Sequence, residues 1–192
     1  MASAIGVFCG SSSRVGDAHR RAAAELGTAI AARGVRLVYG GGRIGLMGVL
    51  ADAAIAAGGQ VVGVIPEFLR GLEVAHAGLT ELRIVPTMHD RKRVMFELAD
   101  AFAVLPGGFG TLDEMIEIVT WRQLGLHDKP VIVVDVDGFW RPLRALIAAI
   151  VGQGFAHPEH ANLLTIVPSV EDVFATLQGA APARITADAK WT

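Results

Sequence analysis

The sequence predicts a doubly wound α/β domain in which a parallel sheet lies between two layers of helices. Short apolar runs alternate with longer helical patterns along the whole chain, and this order is typical of parallel strands joined by helices. The predicted strands are nearly continuous apolar runs, which indicates burial on both faces of the sheet. The 192 residues suit one domain, because domains commonly hold about 100–200 residues.

The individual elements follow from these patterns. Seven short apolar runs are predicted as strands, at residues 4–9, 35–39, 60–65, 82–85, 101–105, 130–134 and 163–167. Helical patterns occupy residues 17–33, 46–57, 90–99, 111–124, 139–151 and 170–177. Glycines end the first two helices, and Pro66 is expected to end the third strand. Without internal repeats or a linker, residues 1–178 form one Rossmann-like domain, and residues 179–192 form a loosely ordered C-terminal tail.

Composition limits the classes of partner. Seventeen Lys and Arg residues against nineteen Asp and Glu give a net charge of −2 with no basic block, which argues against a nucleic-acid polymer or an anionic membrane. Hydrophobic residues make up 52% of the chain, which excludes disorder and is compatible with a buried subunit interface. The one cysteine, Cys9, excludes an intramolecular disulfide and a cysteine-cluster metal site.

The mean hydropathy of +0.47 is high enough to raise the question of membrane insertion. No uninterrupted apolar run approaches the about 18 residues that a spanning helix needs, and the N-terminus lacks the charged start of a signal peptide. We therefore expect a soluble cytoplasmic protein.

Two glycine-rich loops follow predicted strands and open helices. The first glycine loop, residues 40–45 (GGGRIG), contains G-x-G-x-x-G, and the second glycine loop is residues 106–111 (PGGFGT). Ligands on such sheets bind outside the carboxyl ends of strands, where free amides and the helix dipole hold anions. We expect Gly41, Gly42 and Gly45 to contact phosphate together with the second glycine loop. The alternative is that the glycines only make turns, because a lone G-x-G-x-x-G is a weak signal.

The kind of nucleotide is open at this stage. Glu67 follows the third strand, about where a dinucleotide's ribose would be bound. However, the first glycine loop follows the second strand rather than the first, and residues 10–13 (GSSS) after the first strand resemble an anion-binding nest. A mononucleotide fits two compact loops better than a dinucleotide does.

A basic run and a group of acids lie beside these loops. Arg91, Lys92 and Arg93 begin a predicted helix, where cations oppose the dipole, so they either face an anion or form a solvated basic turn. Asp113 and Glu114 are placed in the first turn of the helix that follows the second glycine loop. Acids are ordinary there, but one of them could reach back to a ligand. Glu117 is either a supporting acid or exposed.

The two segments together resemble a known family. Residues 88–92 (MHDRK) and 106–114 (PGGFGTLDE) are similar to the paired MHxRK and PGGxGTxxE motifs of the Lonely Guy family, cytokinin-activating phosphoribohydrolases long labelled lysine decarboxylases. Residues 9–12 (CGSS), 39–48 (YGGGRIGLMG) and 121–136 (WRQLGLHDKPVIVVDV) extend the similarity, which covers about residues 4–178.

The resemblance implies hydrolysis of the N-glycosidic bond of a nucleoside 5′-monophosphate to an adenine-type base and ribose 5-phosphate. It implies that Arg91 and Glu114 are the catalytic pair and that the chain forms homodimers, and it calls for neither cofactor nor metal ion. The substrate-binding residues that it implies are Glu73, Arg91, Lys92, Gly107, Gly108, Phe109, Gly110, Thr111, Leu112 and Asp113, with Glu73 matched in a variable loop.

The chemistry assigns these residues different tasks. Breaking a ribosyl C1′–N bond builds positive charge on the sugar, so a carboxylate, Glu114, would stabilise that charge and orient or deprotonate water. Arg91 is a poor general acid because its pKa exceeds about 12, and it is assigned to positioning. No residue is assigned as the proton donor to the base.

Three other interpretations stay open. A nucleotide-sensing module would bind without catalysis. A pyridoxal phosphate decarboxylase would need a Schiff-base lysine, and only Lys92, Lys129 and Lys190 are present. His157 and His160 are spaced as metal ligands can be, although a surface turn is the favoured interpretation.

Overall fold

The computed structural model describes residues 2–72 and 74–179. Its centre is one seven-stranded, fully parallel sheet with the strand order β4-β3-β2-β1-β5-β6-β7. The predicted α/β class and doubly wound parallel sheet are confirmed. Glu73 and residues 180–192, which include most of the predicted tail, lie outside the described residues.

The elements follow the predicted order, and most of their ends shift by one or two residues. The strands are β1 Ala4–Phe8, β2 Arg36–Tyr39, β3 Val61–Pro66, β4 Glu81–Val85, β5 Ala101–Val104, β6 Val131–Val134 and β7 Thr165–Val167. The helices are α1 Asp17–Ala32, α2 Gly45–Ala56, α3 Met88–Leu98, α4 Phe109–Gln123, α5 Arg141–Gly152 and α6 Val170–Gly179. Short 3-10 helices occupy Glu67–Leu69, Val136–Gly138 and Pro158–Asn162. Pro66 is the last residue of β3 rather than its terminator.

Each face of the sheet is covered by its own apolar layer. Helices α1, α2 and α6 pack on one face through residues such as Leu26, Leu50 and Phe174. Helices α3, α4 and α5 pack on the other through residues such as Met95 and Ile118. Burial on both faces explains why the strands are continuous apolar runs.

The strand order creates a switch point at the middle of the sheet. Strand β1 pairs with β2 on one side and with β5 on the other, so the chain leaves β1 and β5 toward opposite layers. The crevice at the carboxyl ends of such strands is the usual ligand site of a doubly wound fold. The loops after β1, β2 and β5 therefore lie around one crevice.

Among the described residues, the structure contains no helix with both the length and the apolar character that a bilayer crossing requires.

Candidate active site at the switch point

Three loops are joined at the carboxyl edge of the sheet. The amide of Gly10, after β1, donates to the carbonyl of Pro106 in the second glycine loop (3.1 Å). The amide of Leu46, which follows the first glycine loop, donates to the carbonyl of Gly10 (2.9 Å). The predicted convergence of the two glycine loops is therefore seen, with the β1 loop between them.

Close packing requires glycine at two of these positions. Gly45 has φ +64°, and a Cβ there would lie 2.4 Å from the backbone carbon of Ser11. A Cβ on Gly107 would lie 2.1 Å from the hydroxyl oxygen of Thr111. The Thr111 side chain, itself buried, thus folds back over the loop that precedes it.

The second glycine loop leads directly into α4. Gly108 is the N-cap, and Phe109 is the first helical residue. The amides of the first helical turn have no carbonyl partners within the helix, and here they open at the crevice with the positive end of the dipole. Gly108, Phe109 and Gly110 are exposed, so this end of α4 is accessible to an anion.

Phe109, implied by the resemblance to bind substrate, is the first residue of α4 and is 92% exposed in the single chain. Leu112, by contrast, packs against the apolar layer under α4.

Arg91 is buried beside the first glycine loop. Its side chain is 4% exposed, and Nη2 donates to the carbonyl oxygen of Gly40 at 2.9 Å. The sulfur atoms of Met88 and Met47 lie 3.9 and 4.0 Å from its two terminal nitrogens. Because burial of a guanidinium is costly unless it is bonded, the loop and α3 fix its direction together.

Lys92 joins α3 to α4. Its ammonium lies 3.1 Å from Asp113 Oδ2 and 3.2 Å from Glu117 Oε2, and the residue is 7% exposed. Burial alone would lower the pKa of Lys92, but the hydrogen bonds with these two carboxylates outweigh it and raise that pKa above its usual value. Glu117 is therefore a supporting acid, which settles its open assignment.

The solvated-turn interpretation is thus wrong for Arg91 and Lys92. It is right for Arg93, whose exposed guanidinium pairs with Asp90 and Glu97. All three lie beyond the first turn, because α3 begins at Met88. Sequence reasoning missed that start, although a threonine three residues before an acid is a capping signal: Thr87 Oγ1 accepts from the Asp90 amide at 3.1 Å.

Glu114 is buried, with 8% of its surface exposed. Its expected place in the first turn is wrong: α4 begins at Phe109, so Asp113 and Glu114 lie in the second turn. The face of α4 that carries Asp113 and Glu117 meets α3, since both carboxylates bond Lys92. Lys92 of the first motif and Asp113 of the second are thus joined by a salt bridge between α3 and α4.

The other residues predicted to bind the nucleotide differ in where the structure places them. Gly41 and Gly42 are buried, with Gly42 in an antiparallel bridge to Ala75, so their contact with phosphate stays a prediction. Glu67, the candidate ribose acid, is exposed and pairs with Arg70. Glu73 lies outside the described residues.

His157 and His160, for which the sequence favours a surface turn over a metal site, have hydrogen-bond partners within the protein. His157 Nδ1 accepts from the amide of Glu159 (3.4 Å), and the amide of His157 donates to His160 Nδ1 (3.2 Å). They cap the 3-10 helix Pro158–Asn162. His160 is buried rather than at the surface.

Fold and site together define a Rossmann-like α/β protein in which the exposed N-terminus of α4 opens at the switch point and α3 and α4 carry buried charged residues. The family described as possible lysine decarboxylase matches residues 47–177. The chain belongs to this family, whose curated relatives are the cytokinin riboside 5′-monophosphate phosphoribohydrolases.

Those relatives match nearly the whole chain. A probable cytokinin riboside 5′-monophosphate phosphoribohydrolase of Oryza sativa subsp. japonica is 46% identical over 92% of this chain and 78% of its own length. The phosphoribohydrolase of Rhodococcoides fascians is 45% identical over 91% of this chain and 88% of its own. That of Arabidopsis thaliana is 42% identical, over 93% and 84%.

Solved structures share the fold at much lower identity. A molybdenum cofactor binding protein of Rippkaea orientalis superposes with a TM-score of 0.72 at 21% identity, covering 92% of this chain and 95% of the other. The molybdenum cofactor carrier protein of Chlamydomonas reinhardtii gives 0.70 at 20% identity, covering 92% and 96%. At such identities the likeness concerns the fold alone.

Proposed function

We propose that this chain hydrolyses the N-glycosidic bond of adenosine 5′-monophosphates, including N6-substituted ones, to the free base and ribose 5-phosphate. The observation that carries the proposal is that α3, with the buried Arg91 and Lys92, is joined through Lys92 to α4, which carries the buried Glu114 and opens its N-terminus at the crevice. Relatives at 40–46% identity are named for this reaction, which favours catalysis over a binding-only module.

The reaction consumes one water. The C1′–N9 bond breaks with its electron pair leaving on the base, and the water oxygen bonds C1′. One proton of that water passes to a carboxylate of the enzyme and from there to solvent, and the departing purine takes one proton from solvent, so atoms and charge balance over the cycle. Positive charge on the ribose peaks between bond breaking and bond making.

Glu114 is the group we assign to that charge. A carboxylate in a site that excludes water interacts more strongly with a cationic sugar than one in bulk solvent. Its burial at 8% exposure supports this role, and the same oxygens can accept the proton of the attacking water. Glu114 is thus proposed as the electrostatic stabiliser and the base.

Arg91 is proposed to position the nucleotide. Its guanidinium is directed by the carbonyl of Gly40, and a guanidinium is a group that binds phosphate oxygens and ribose hydroxyls well. Lys92, bound to two carboxylates, is proposed to hold α3 and α4 at the right spacing and to offset the negative charge around Glu114.

The 5′-phosphate is proposed to bind at the start of α4. Gly107, Gly108 and Gly110 leave room for a close approach to the backbone, and the first-turn amides with the helix dipole attract the anion. Thr111 and the glycines of the first glycine loop, after β2, are proposed to complete the phosphate site. Phosphate binding energy then orients the distant C1′–N bond for attack.

A decarboxylase using pyridoxal phosphate does not fit the described lysines. Lys92 is an ammonium with a raised pKa between two carboxylates, which disfavours the neutral amine that a Schiff base needs. Lys129 Nζ donates to the carbonyl of Phe96 at 2.7 Å and lies over its ring. Lys190 lies outside the described residues.

We also propose that the chain acts as a homodimer in the cytoplasm. Apolar side chains are exposed on α4 and α5, among them Ile116, Leu146 and Ile150, and a subunit interface would cover them. A charged nucleotide substrate does not cross membranes unaided, which favours an intracellular site of action. The mass in solution by light scattering tests the dimer.

The decisive experiment compares AMP with N6-prenylated AMP as substrates. We expect both nucleotides to release free base and an equal amount of ribose 5-phosphate. The ratio of their kcat/KM values then shows which N6 group the crevice prefers. Nucleosides without the 5′-phosphate serve as the matched control and should react at least about 100-fold more slowly, because the phosphate supplies orientation. Failure to release base from either nucleotide would refute the proposal.

A further inference from the structure

A short segment of the β3–β4 connection crosses the first glycine loop; we call residues 74–79 the strap. Ala75 forms an antiparallel bridge with Gly42. The amide of Arg43 donates to the carbonyl of Val74, and the amide of His76 donates to the carbonyl of Gly41, both at 3.0 Å. The strap and the loop therefore form a small two-stranded pair outside the main sheet.

The side chain of His76 is buried at the centre of this arrangement, with 5% of its surface exposed. Its Nδ1 accepts from the amide of Gly78 at 3.0 Å, so that nitrogen carries no proton. The hydrogen of the neutral ring is therefore on Nε2. Nε2 donates to Asp52 Oδ1 at 2.9 Å.

Asp52 lies on α2, the helix that begins at Gly45 directly after the first glycine loop. The loop is thus held from two directions: by backbone bonds from the strap, and by the helix to which His76 ties the strap. No step of the proposed reaction uses His76 or Asp52. An isolated two-residue pairing is weak on its own, so the side-chain bond is what makes the strap a stable support.

The first glycine loop, which the strap holds, carries the carbonyl group that accepts a hydrogen bond from Arg91 of the proposed active site. The carbonyl of Gly40 accepts from Arg91 Nη2 at 2.9 Å, and Gly40 is the residue next to Gly41, whose own carbonyl accepts from the strap. Movement of the strap away from the loop would therefore displace the acceptor that directs the guanidinium.

We propose that His76, bonded to Asp52, is a positioning residue for the glycosidic hydrolysis: it clamps the strap onto the first glycine loop and thereby fixes the Gly40 carbonyl that orients Arg91. This inference rests on the proposed function. Geometry errors of about 1 Å at a reacting centre cost about 100-fold in rate, so a partial loss of the clamp is expected to cost about tenfold.

The clamp itself is tested without any turnover, by amide hydrogen exchange. Asp52→Ala is the test variant because the Asp52 side chain is 57% exposed, so the fold tolerates its truncation. Asp52→Asn is the matched control, since its side-chain oxygen still accepts from Nε2. We expect the amides of Arg43 and His76 to lose protection in Asp52→Ala and to keep it in Asp52→Asn. Unchanged protection in Asp52→Ala would overturn the clamp.

Coupling to Arg91 is tested by a double-mutant cycle on base release. Asp52→Ala is expected to lower kcat about tenfold with KM for AMP changed less than about twofold, and Asp52→Asn to stay within about threefold of the parent. In an Arg91→Lys background the further loss from Asp52→Ala should be less than about threefold, because the guanidinium to be oriented is gone.

The outcomes separate the two proposals. Equal losses in both backgrounds, or an unchanged kcat in Asp52→Ala, would overturn the positioning role, because a merely structural bond affects both backgrounds alike. A parent protein that released no base would overturn the proposed function together with this positioning role, while the exchange data would still decide whether the strap is clamped.

Discussion

Two regions of this molecule each bury an arginine, and they use it differently. Arg91 at the switch point is 4% exposed and donates to the carbonyl of Gly40 at 2.9 Å. Arg122, at the other end of the sheet beneath the segment before β7, is 9% exposed and donates to the carbonyl of Leu163 at 2.8 Å. The bond is the same in kind, so the difference lies in the surroundings.

Leu163, whose carbonyl accepts from Arg122, also lines a mostly apolar groove between α4, α5 and the 3-10 helix Pro158–Asn162. Burial lowers the pKa of the Arg122 guanidinium, with Asp128 opposing part of that effect. The residue next to Arg91 on α3 is a second buried cation, Lys92, which is joined to α4, and α4 also carries the buried acid Glu114. We therefore interpret Arg122 as a cation that holds the segment before β7 in place, and Arg91 as part of the proposed site, because buried charged residues at a crevice are typical of functional sites.

The largest expected effect is at Glu114. Glu114→Gln keeps the shape but removes the charge, so we expect kcat to fall by about a thousandfold or more while AMP still binds, because a positioned base and charge stabiliser are lost together. Rates of base release and a binding isotherm for AMP check this. Near-normal turnover would remove Glu114 from its assigned role.

Arg91→Ala sharpens the comparison directly. We expect kcat/KM for AMP to fall by about 100-fold or more, with both weaker binding and slower turnover, because Arg91 is proposed to contact the nucleotide in the ground state and in the transition state. Steady-state kinetics check the split between kcat and KM. Unchanged kinetics would mean that Arg91, like Arg122, only supports the fold.

Arg122→Met is the counterpart at the other end of the sheet. Leaving the buried carbonyl of Leu163 without its donor should cost about 1–3 kcal/mol of unfolding free energy, while the kcat of the folded variant stays at the parent value. Urea unfolding and kinetics on the same preparation measure both quantities. A large loss of kcat with unchanged stability would contradict the distinction drawn between the two arginines.

The smallest expected effect is a pH dependence near the same end. Burial lowers the pKa of His127 below 6.5, with its bond to the Ile118 carbonyl opposing. The unfolded chain therefore binds the proton more readily, and the stability present above pH 6.5 falls as the pH drops through 6.5 toward the folded pKa. Unfolding free energies between pH 7 and pH 5 should decline less in His127→Gln than in the parent.

The exposed His89 supplies the control for that comparison. His89→Gln removes an exposed imidazole and leaves the half-buried His127 in place. An equal flattening in both variants would show that the slope does not come from burial of His127.

Much of the site was visible in local sequence, and some of it was not. The second glycine loop and the acids after it were predicted because a strand, a tight turn and a helix start leave local traces. These acids were predicted in the first turn of the helix but lie in the second, since glycine and phenylalanine at the start of α4 give no strong helix signal. The strap was missed because its contacts with the glycine loop join residues about thirty positions apart.

The element order, the parallel arrangement and the two-sided burial of the sheet follow from the sequence. The hydrophobic periodicity that predicts them is a property of residues close together in the chain. The contacts that the charged residues make at the site follow only from the folded arrangement. Arg91 and Gly40 are 51 residues apart, His76 and Asp52 are 24 apart, and Lys92 and Asp113 are 21 apart. Directional bonds between such distant residues exist only once the sheet and its two helix layers have packed, since packing alone brings their atoms within reach.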